Sequence, residues 1–240
     1  MNTIITIARK EFQLALRSVT TYIVFVLFLV ATGLYFSSTV FKVGLAELRG
    51  VFGIMHVIML FYIPAITMGL ISRERSNGTL ELLSTLPIRL GGIVWGKFLG
   101  AVMLLKTVLF FTLVYLGLIS WFGYGIDYGA VFCGYFGLIL AGSAYISIGI
   151  FASSISANQV LSFIIALAIS SAFYLIRFIA DFMPFRLIRF VEYFGFDYHL
   201  QNFLRGVIDS RDILFFAAVM VIFNLLAELN LQSHNMMQER

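Results

Sequence analysis

The chain has 240 residues, 61% of them hydrophobic and only 12% charged, against about 25% charged in a soluble domain. Its net charge of +4 is scattered, which excludes the clustered basic surface of a nucleic-acid-binding protein, and no polar block reaches the ~50 residues of a separate soluble domain. A single cysteine, Cys133, excludes an intrachain disulfide; the composition is that of an all-α integral membrane protein, read as one transmembrane domain over 1–240.

Residues 2–17 are amphipathic. Asn2, Thr6, Arg9, Gln13 and Arg17 recur every three or four positions, with Ile4, Ile5, Ala8, Phe12, Ala15 and Leu16 mostly opposite. Arg9, Lys10 and Arg17 on the polar side and Phe12 on the other predict a helix lying in the membrane interface and touching lipid, with an extension of the first span as the alternative. Six stretches then have the ~20 apolar residues that a hydrocarbon core requires, at roughly 19–38, 51–71, 97–119, 130–153, 158–179 and 213–231. No small-residue cleavage pattern closes the first, so it reads as a retained span rather than a signal peptide.

Six spans place both termini on one side. Eight Lys and Arg fall on that side (Arg9, Lys10, Arg17, Arg73, Arg75, Arg89, Lys97, Arg240) and seven on the other (Lys42, Arg49, Arg177, Arg186, Arg189, Arg205, Arg211). The margin favours a cytoplasmic N-terminus by a single residue.

The longest charged interruption, Ser72 to Lys97, follows the second span. Asn77-Gly78 signals a turn, Thr79 is placed to cap a short helix over Leu80 to Leu86, and Pro87 ends it. Leu82, Leu83 and Leu86 give that helix an apolar face; Arg73, Glu74, Arg75 and Glu81 put charge beside it. An element with one apolar and one charged side suits the groove of a partner protein.

In the third span, Lys106 lies about 13 Å along the helix at 1.5 Å per residue, where an unpaired lysine costs on the order of 2.5 to 3.5 kcal/mol. Glu228 in the sixth span, with Asn224 one turn above it, is the candidate partner; a stem snorkelling to the headgroups is the alternative. The fourth span carries a small-residue stripe, Ala130, Gly134, Gly137, Ala141 and Ala144, suited to close helix approach. Residues 180–212 mix charge with Phe and Tyr and are broken by Pro184 and Gly195, which suits either a segment dipping into the membrane or an aromatic surface loop.

Catalytic chemistry finds little support. Gly91 to Lys97 has the spacing of a phosphate-binding loop, but Phe98 stands where Ser or Thr would ligate magnesium, and no apolar strand precedes it. His56, His199 and His234 are too dispersed for a metal cluster, and Gly142-Ser143 lacks a base. The chain is expected not to be an enzyme and to bind no cofactor or metal.

The run IPAITMGLISRERSNGTLELLSTLP (63–87), GKFLGA (96–101), GYFGLILAGSAYISIGIFASSISANQ (134–159) and FLRGVIDSRDILFF (203–216) resemble permease subunits of ABC-2-type ATP-binding-cassette transporters, near the gliding-motility and nitrous-oxide-maturation branch. The resemblance implies that the segment after the second span, with Arg73, Glu74, Arg75, Gly78, Thr79, Glu81, Leu82, Leu83 and Pro87, is a cytoplasmic coupling helix docking on an ATPase subunit. It also implies an N-terminal interfacial companion helix, an ATPase-facing Ser154 to Ala157 connection, a re-entrant outer hairpin over 180–212, and both termini in the cytoplasm of a bacterial inner membrane. The chain departs from that branch in its short Thr39 to Gly50 link, which reduces what an outer protein would grip.

The expected function is thus the permease of an exporter, dimerised with itself or a similar permease and powered by two cytoplasmic ATPase subunits that carry the ATP and magnesium. One alternative is mechanical transmission to an outer partner without cargo. Another is an ATP-independent channel or carrier, for which spans holding chiefly Lys106 and Glu228 as ionisable groups offer little. A membrane-embedded enzyme lacks any constellation to support it.

Overall fold

The computed structural model describes residues 3–43, 48–79, 90–122, 126–180 and 191–238. All the regular structure among them is helical: α1 (Thr3–Leu16), α2 (Val19–Val43), α3 (Arg49–Thr67), α4 (Ser72–Ser76), α5 (Leu90–Phe122), α6 (Tyr128–Ile155), α7 (Gln159–Ala180), α8 (Phe196–Leu204) and α9 (Ser210–Gln238). Six of these, α2, α3, α5, α6, α7 and α9, are long and apolar enough to cross a bilayer, as the sequence predicts.

The third span begins at Leu90 rather than 97. Gly91 to Lys97, which has the spacing of a phosphate-binding loop, is therefore two turns of continuous helix, in which no phosphate-cradling loop exists.

α6 is the central post, with 78% of its spanning window buried. Its small residues explain how neighbours come so close. Phe52 of α3 occupies the space where Gly134 would carry a side chain, Phe203 of α8 does the same at Gly137, Leu105 of α5 at Gly142 and Thr67 of α3 at Gly149. Single polar contacts pin the seams within this apolar packing. Thr32 meets Tyr115 between α2 and α5, Thr112 meets Tyr135 between α5 and α6, His56 meets Tyr145 between α3 and α6, and Asn224 donates to Ser147 between α9 and α6. Hydrocarbon offers these groups no water, so each finds its partner on a neighbouring helix.

Side-chain caps set the turns. Asp127 Oδ1 accepts from the Ala130 amide at the start of α6, and Asn158 Oδ1 accepts from Val160 at the start of α7. α1, α4, the α6–α7 turn and the start of α5 gather at one end of the bundle, here the proximal end. α8 and the start of α9 close the other, distal end. Within the predicted 180–212 segment, residues 181–190 lie outside the described residues, and Phe196, His199, Leu200, Phe203 and Leu204 of α8 are buried.

Candidate partner-docking site

The proximal end is assembled from four separate stretches of sequence. α1 lies on α5 at Gly96 and Gly100, one turn apart. A Cβ on Gly96 would sit 2.7 Å from Ile7, and one on Gly100 would sit 2.9 Å from Glu11 Cβ and 3.0 Å from the Ala8 carbonyl. Only glycine allows that approach, and Ala8 is accordingly fully buried. Between those two glycines stands Lys97.

Lys97 is 1% exposed. Its Nζ donates to Glu11 Oε1 of α1 at 2.9 Å and to Glu74 Oε1 of α4 at 2.7 Å. One buried ammonium thereby ties three elements together, satisfying the rule that a buried cation is paired. Two carboxylates against one cation leave an excess negative charge, and the second oxygen of Glu74 is buried without a hydrogen-bond partner among the described residues. A cleft of about 250 Å³, lined in part by Glu11, Glu74, Lys97, Arg73, Ser18 and Gln159, opens beside them.

α4 is pinned to α6 by one hydroxyl. Ser153 Oγ accepts from the amides of Ile71 and Ser72, both at 3.0 Å, and donates to the Met68 carbonyl at 3.0 Å. It therefore satisfies amides at the start of α4 and a carbonyl at the end of α3, groups that the helices themselves leave open. Arg75 Nη1 donates to the carbonyls of Ser154 (2.9 Å) and Ile155 (3.1 Å), where a cation also complements the C-terminal dipole of α6. Asn230 of α9 reaches Ser154 Oγ at 3.4 Å.

Of the residues predicted from sequence, the structure brings Arg73, Glu74, Arg75, Gly78 and Thr79 to this end. Arg73 approaches Gln159 Oε1 at 3.5 Å, Gly78 takes φ +68° in the turn, and Thr79 Oγ1 donates to the Glu74 carbonyl. Thr79 therefore bonds backward. Glu81, Leu82, Leu83 and Pro87, with the predicted helix from Leu80 to Leu86, lie outside the described residues. Arg9 and Lys10 of α1 and Arg17 just beyond it are exposed, and Phe12 is half-buried.

Lys106 and Glu228 are not brought together. The Glu228 carboxylate lies against Gly91, 2.7 and 2.8 Å from where a Cβ would stand, at the first described turn of α5, where the helix dipole favours an anion. Lys106 is 15 residues further along α5, about 22 Å at 1.5 Å per residue. It is exposed on the bundle surface, with no ion pair among the described residues.

Sequence reasoning missed Glu11, Lys97 and Ser153. Glu11 left a trace, as the sole acid of α1, beside the apolar Ala8, Phe12 and Ala15. Lys97 was hidden by its resemblance to a phosphate loop.

Residues 5–188 match the description of an ABC-2 family transporter protein. The chain belongs to the ABC-2 transporter family. It is a multi-pass membrane protein and a permease subunit of an ABC transporter, a class that works with a cytoplasmic ATPase. A comparison with curated proteins found no match.

Proposed function

We propose that the proximal end is the surface on which a separate cytoplasmic ATPase subunit docks, and that the protein is the permease half of an exporter of the ABC-2 type. The observation that carries this is the Glu11–Lys97–Glu74 cluster. It fastens α1 and α4 to the foot of α5, so a force on the segment after the second span reaches the third span without a soft joint. Glu81, Leu82 and Leu83 make the outward contact, while Arg73, Glu74 and Arg75 hold the segment on the bundle. In this reading the proximal end is cytoplasmic, as are both termini, in a bacterial inner membrane. Two ATPase copies serve a dimer formed with an identical or similar permease. ATP and magnesium belong to the ATPase, and this chain performs no bond chemistry. The sequence resemblance supports a reading near the gliding-motility and nitrous-oxide-maturation branch.

Mechanical transmission without cargo is favoured by one feature. α6 touches α4 through Ser153 at one end and α8 through Gly137 nearer the other, so a single rigid helix spans from the docking surface towards the distal segment.

The test is affinity purification of the tagged protein in mild detergent, with an ATPase assay on what co-purifies. A stoichiometric ABC-type ATPase in the wild type, lost or uncoupled in Glu81→Arg while the permease stays in the membrane, is the expected result. Full ATPase retention and activity in Glu81→Arg would remove the docking assignment. Among reconstituted complexes, stimulation of ATP hydrolysis by a hydrophobic cargo indicates export; stimulation only by an outer protein indicates transmission.

A further inference from the structure

The distal end holds a polar cleft that docking at the proximal end does not use. Its volume is about 270 Å³, below the ~300 Å³ at which drug-sized pockets begin, and none of its described lining side chains is aliphatic. Arg177 and Arg205 supply two cations, Glu192 and Asp197 two anions, and Gln201 and Asn202 two carboxamides. Such a lining suits a small polar ligand that carries both signs of charge. A simple anion would meet the carboxylates, and a simple cation the guanidinium groups.

The amphipathic pattern of α8 builds the cleft. Asp197, Gln201 and Arg205 recur every four residues, and Tyr198 and Asn202 run beside them, so one polar stripe of the helix lines the cavity. The other side, with Phe196, His199, Leu200, Phe203 and Leu204, is buried. The stripe is held still from behind. Asn202 Nδ2 donates to Asp212 Oδ2 at 2.8 Å, and the other Asp212 oxygen lies 2.6 Å from His199 Nδ1, with both Asp212 and His199 buried. Arg49 of α3 donates to the Leu204 carbonyl at the end of α8.

The bonds already made leave a defined set of open groups. Arg177 Nη1 donates to Asp197 Oδ2 at 2.7 Å, so that pair neutralises itself. Gln201 Nε2 lies 3.5 Å from the same oxygen, and Asn202 Nδ2 is taken by Asp212, which leaves the carbonyl oxygens of both carboxamides to accept. Among the described residues, neither the Arg205 guanidinium nor the Glu192 carboxylate has a partner. The cleft thus offers a free guanidinium, which suits a phosphate, and a free carboxylate with two carbonyl oxygens, which suit an ammonium.

Its depth also follows from the sequence. Arg177 stands in the last turn of α7, whose membrane-spanning stretch ends at Phe178, so the cleft lies where hydrocarbon gives way to headgroups. Tyr193, Phe194, Val207 and Ile208, close in sequence to the lining residues, are exposed, an apolar and aromatic surface suited to that depth.

We infer that this cleft binds a phosphoethanolamine group, with its phosphate on Arg205 and its ammonium on Glu192 and the carboxamide oxygens. The depth points to a phospholipid headgroup of the distal leaflet as the source; the free zwitterion carries the same chemistry. The site does not depend on which end the ATPase occupies.

The test is native mass spectrometry of the delipidated full chain in detergent, offered short-chain phosphatidylethanolamine, phosphatidylcholine or phosphatidylglycerol at equal concentration. Phosphatidylcholine keeps the charges but loses the N–H donors, and phosphatidylglycerol keeps the phosphate alone. Phosphatidylethanolamine is expected to bind about tenfold more tightly than either, the scale of one hydrogen bond to a charged group. Glu192→Gln should abolish that preference and leave phosphatidylglycerol bound as before or tighter. Arg205→Gln should weaken all three lipids about tenfold. Because neither side chain has a partner, both variants keep the wild-type unfolding temperature, and the headgroup order of the wild type is a test that needs no variant.

Equal binding of the three lipids by the wild type, or phosphatidylethanolamine binding unchanged in either variant, overturns the inference. Soluble phosphoethanolamine separates the two sources of the group. Displacement of bound lipid by an equal concentration assigns the site to the free zwitterion, and lipid retained against a large excess assigns it to the membrane.

Discussion

Lys97 serves two acids at once, and that arithmetic predicts how its variants behave. Lys97→Met leaves the Glu11 and Glu74 carboxylates facing one another in a site where they are only 14% and 20% exposed. Removing one partner of a largely buried ion cluster costs about 3–5 kcal/mol, whereas replacing all charged members by neutral ones is close to neutral. Lys97→Met should therefore unfold at a clearly lower temperature, and the triple variant Glu11→Gln, Glu74→Gln, Lys97→Met should recover most of the loss. Thermal unfolding followed by a thiol-reactive dye reads this directly, since Cys133 is buried until the fold opens. A triple variant as unstable as the single one would mean that Lys97 acts through packing of its stem alone. In the sequence this residue showed only as the end of a charged interruption and of a phosphate-loop spacing; its partners lie 86 and 23 residues away.

At the level of elements, α1 depends on its seat rather than on its own amphipathicity. The sequence pattern foretold a helix over 2–17, and one is found over Thr3–Leu16. The pattern assigned its apolar side to lipid, yet Ile4, Ile7, Ala8 and Glu11 face α5 across Gly96 and Gly100, leaving Ile5 and Leu14 exposed. The spacing of the two glycines was legible, and its use was not, because nothing local says which helix will fill a groove. Gly100→Leu should expel α1 while the spans stay inserted. A cysteine placed at Ala8 in a Cys133→Ser background should then label as fast as in unfolded chain, against near-complete protection with Gly100 intact. Continued protection would show that α1 is held by the ion cluster alone.

For the whole molecule, the spans were readable because a bilayer imposes length and apolarity on each helix separately. Pairings were not readable, because they depend on which faces meet. Glu228 illustrates the point, since the partner it finds is the first described turn of α5 rather than the lysine in mid-span. Lys106, exposed on the bundle surface, stabilises nothing within the described residues. Lys106→Leu is thus expected to leave the unfolding temperature unchanged or raised, within the ±0.5 kcal/mol typical of surface changes or somewhat above it. A marked fall would reveal a partner for Lys106 in the assembled transporter.

The sequence by itself determined the class, the number of spans, the helical nature of residues 3–16, and the resemblance to ABC-2-type permeases that the family match upholds, since these follow from composition, period and motif along one stretch of chain. Only the tertiary structure decided that Lys97 joins Glu11 to Glu74, that Ser153 pins α4, and that His199 closes on Asp212. Charges and hydroxyls in an apolar bundle must find partners, and which partner each finds is set by the close packing of helices around α6.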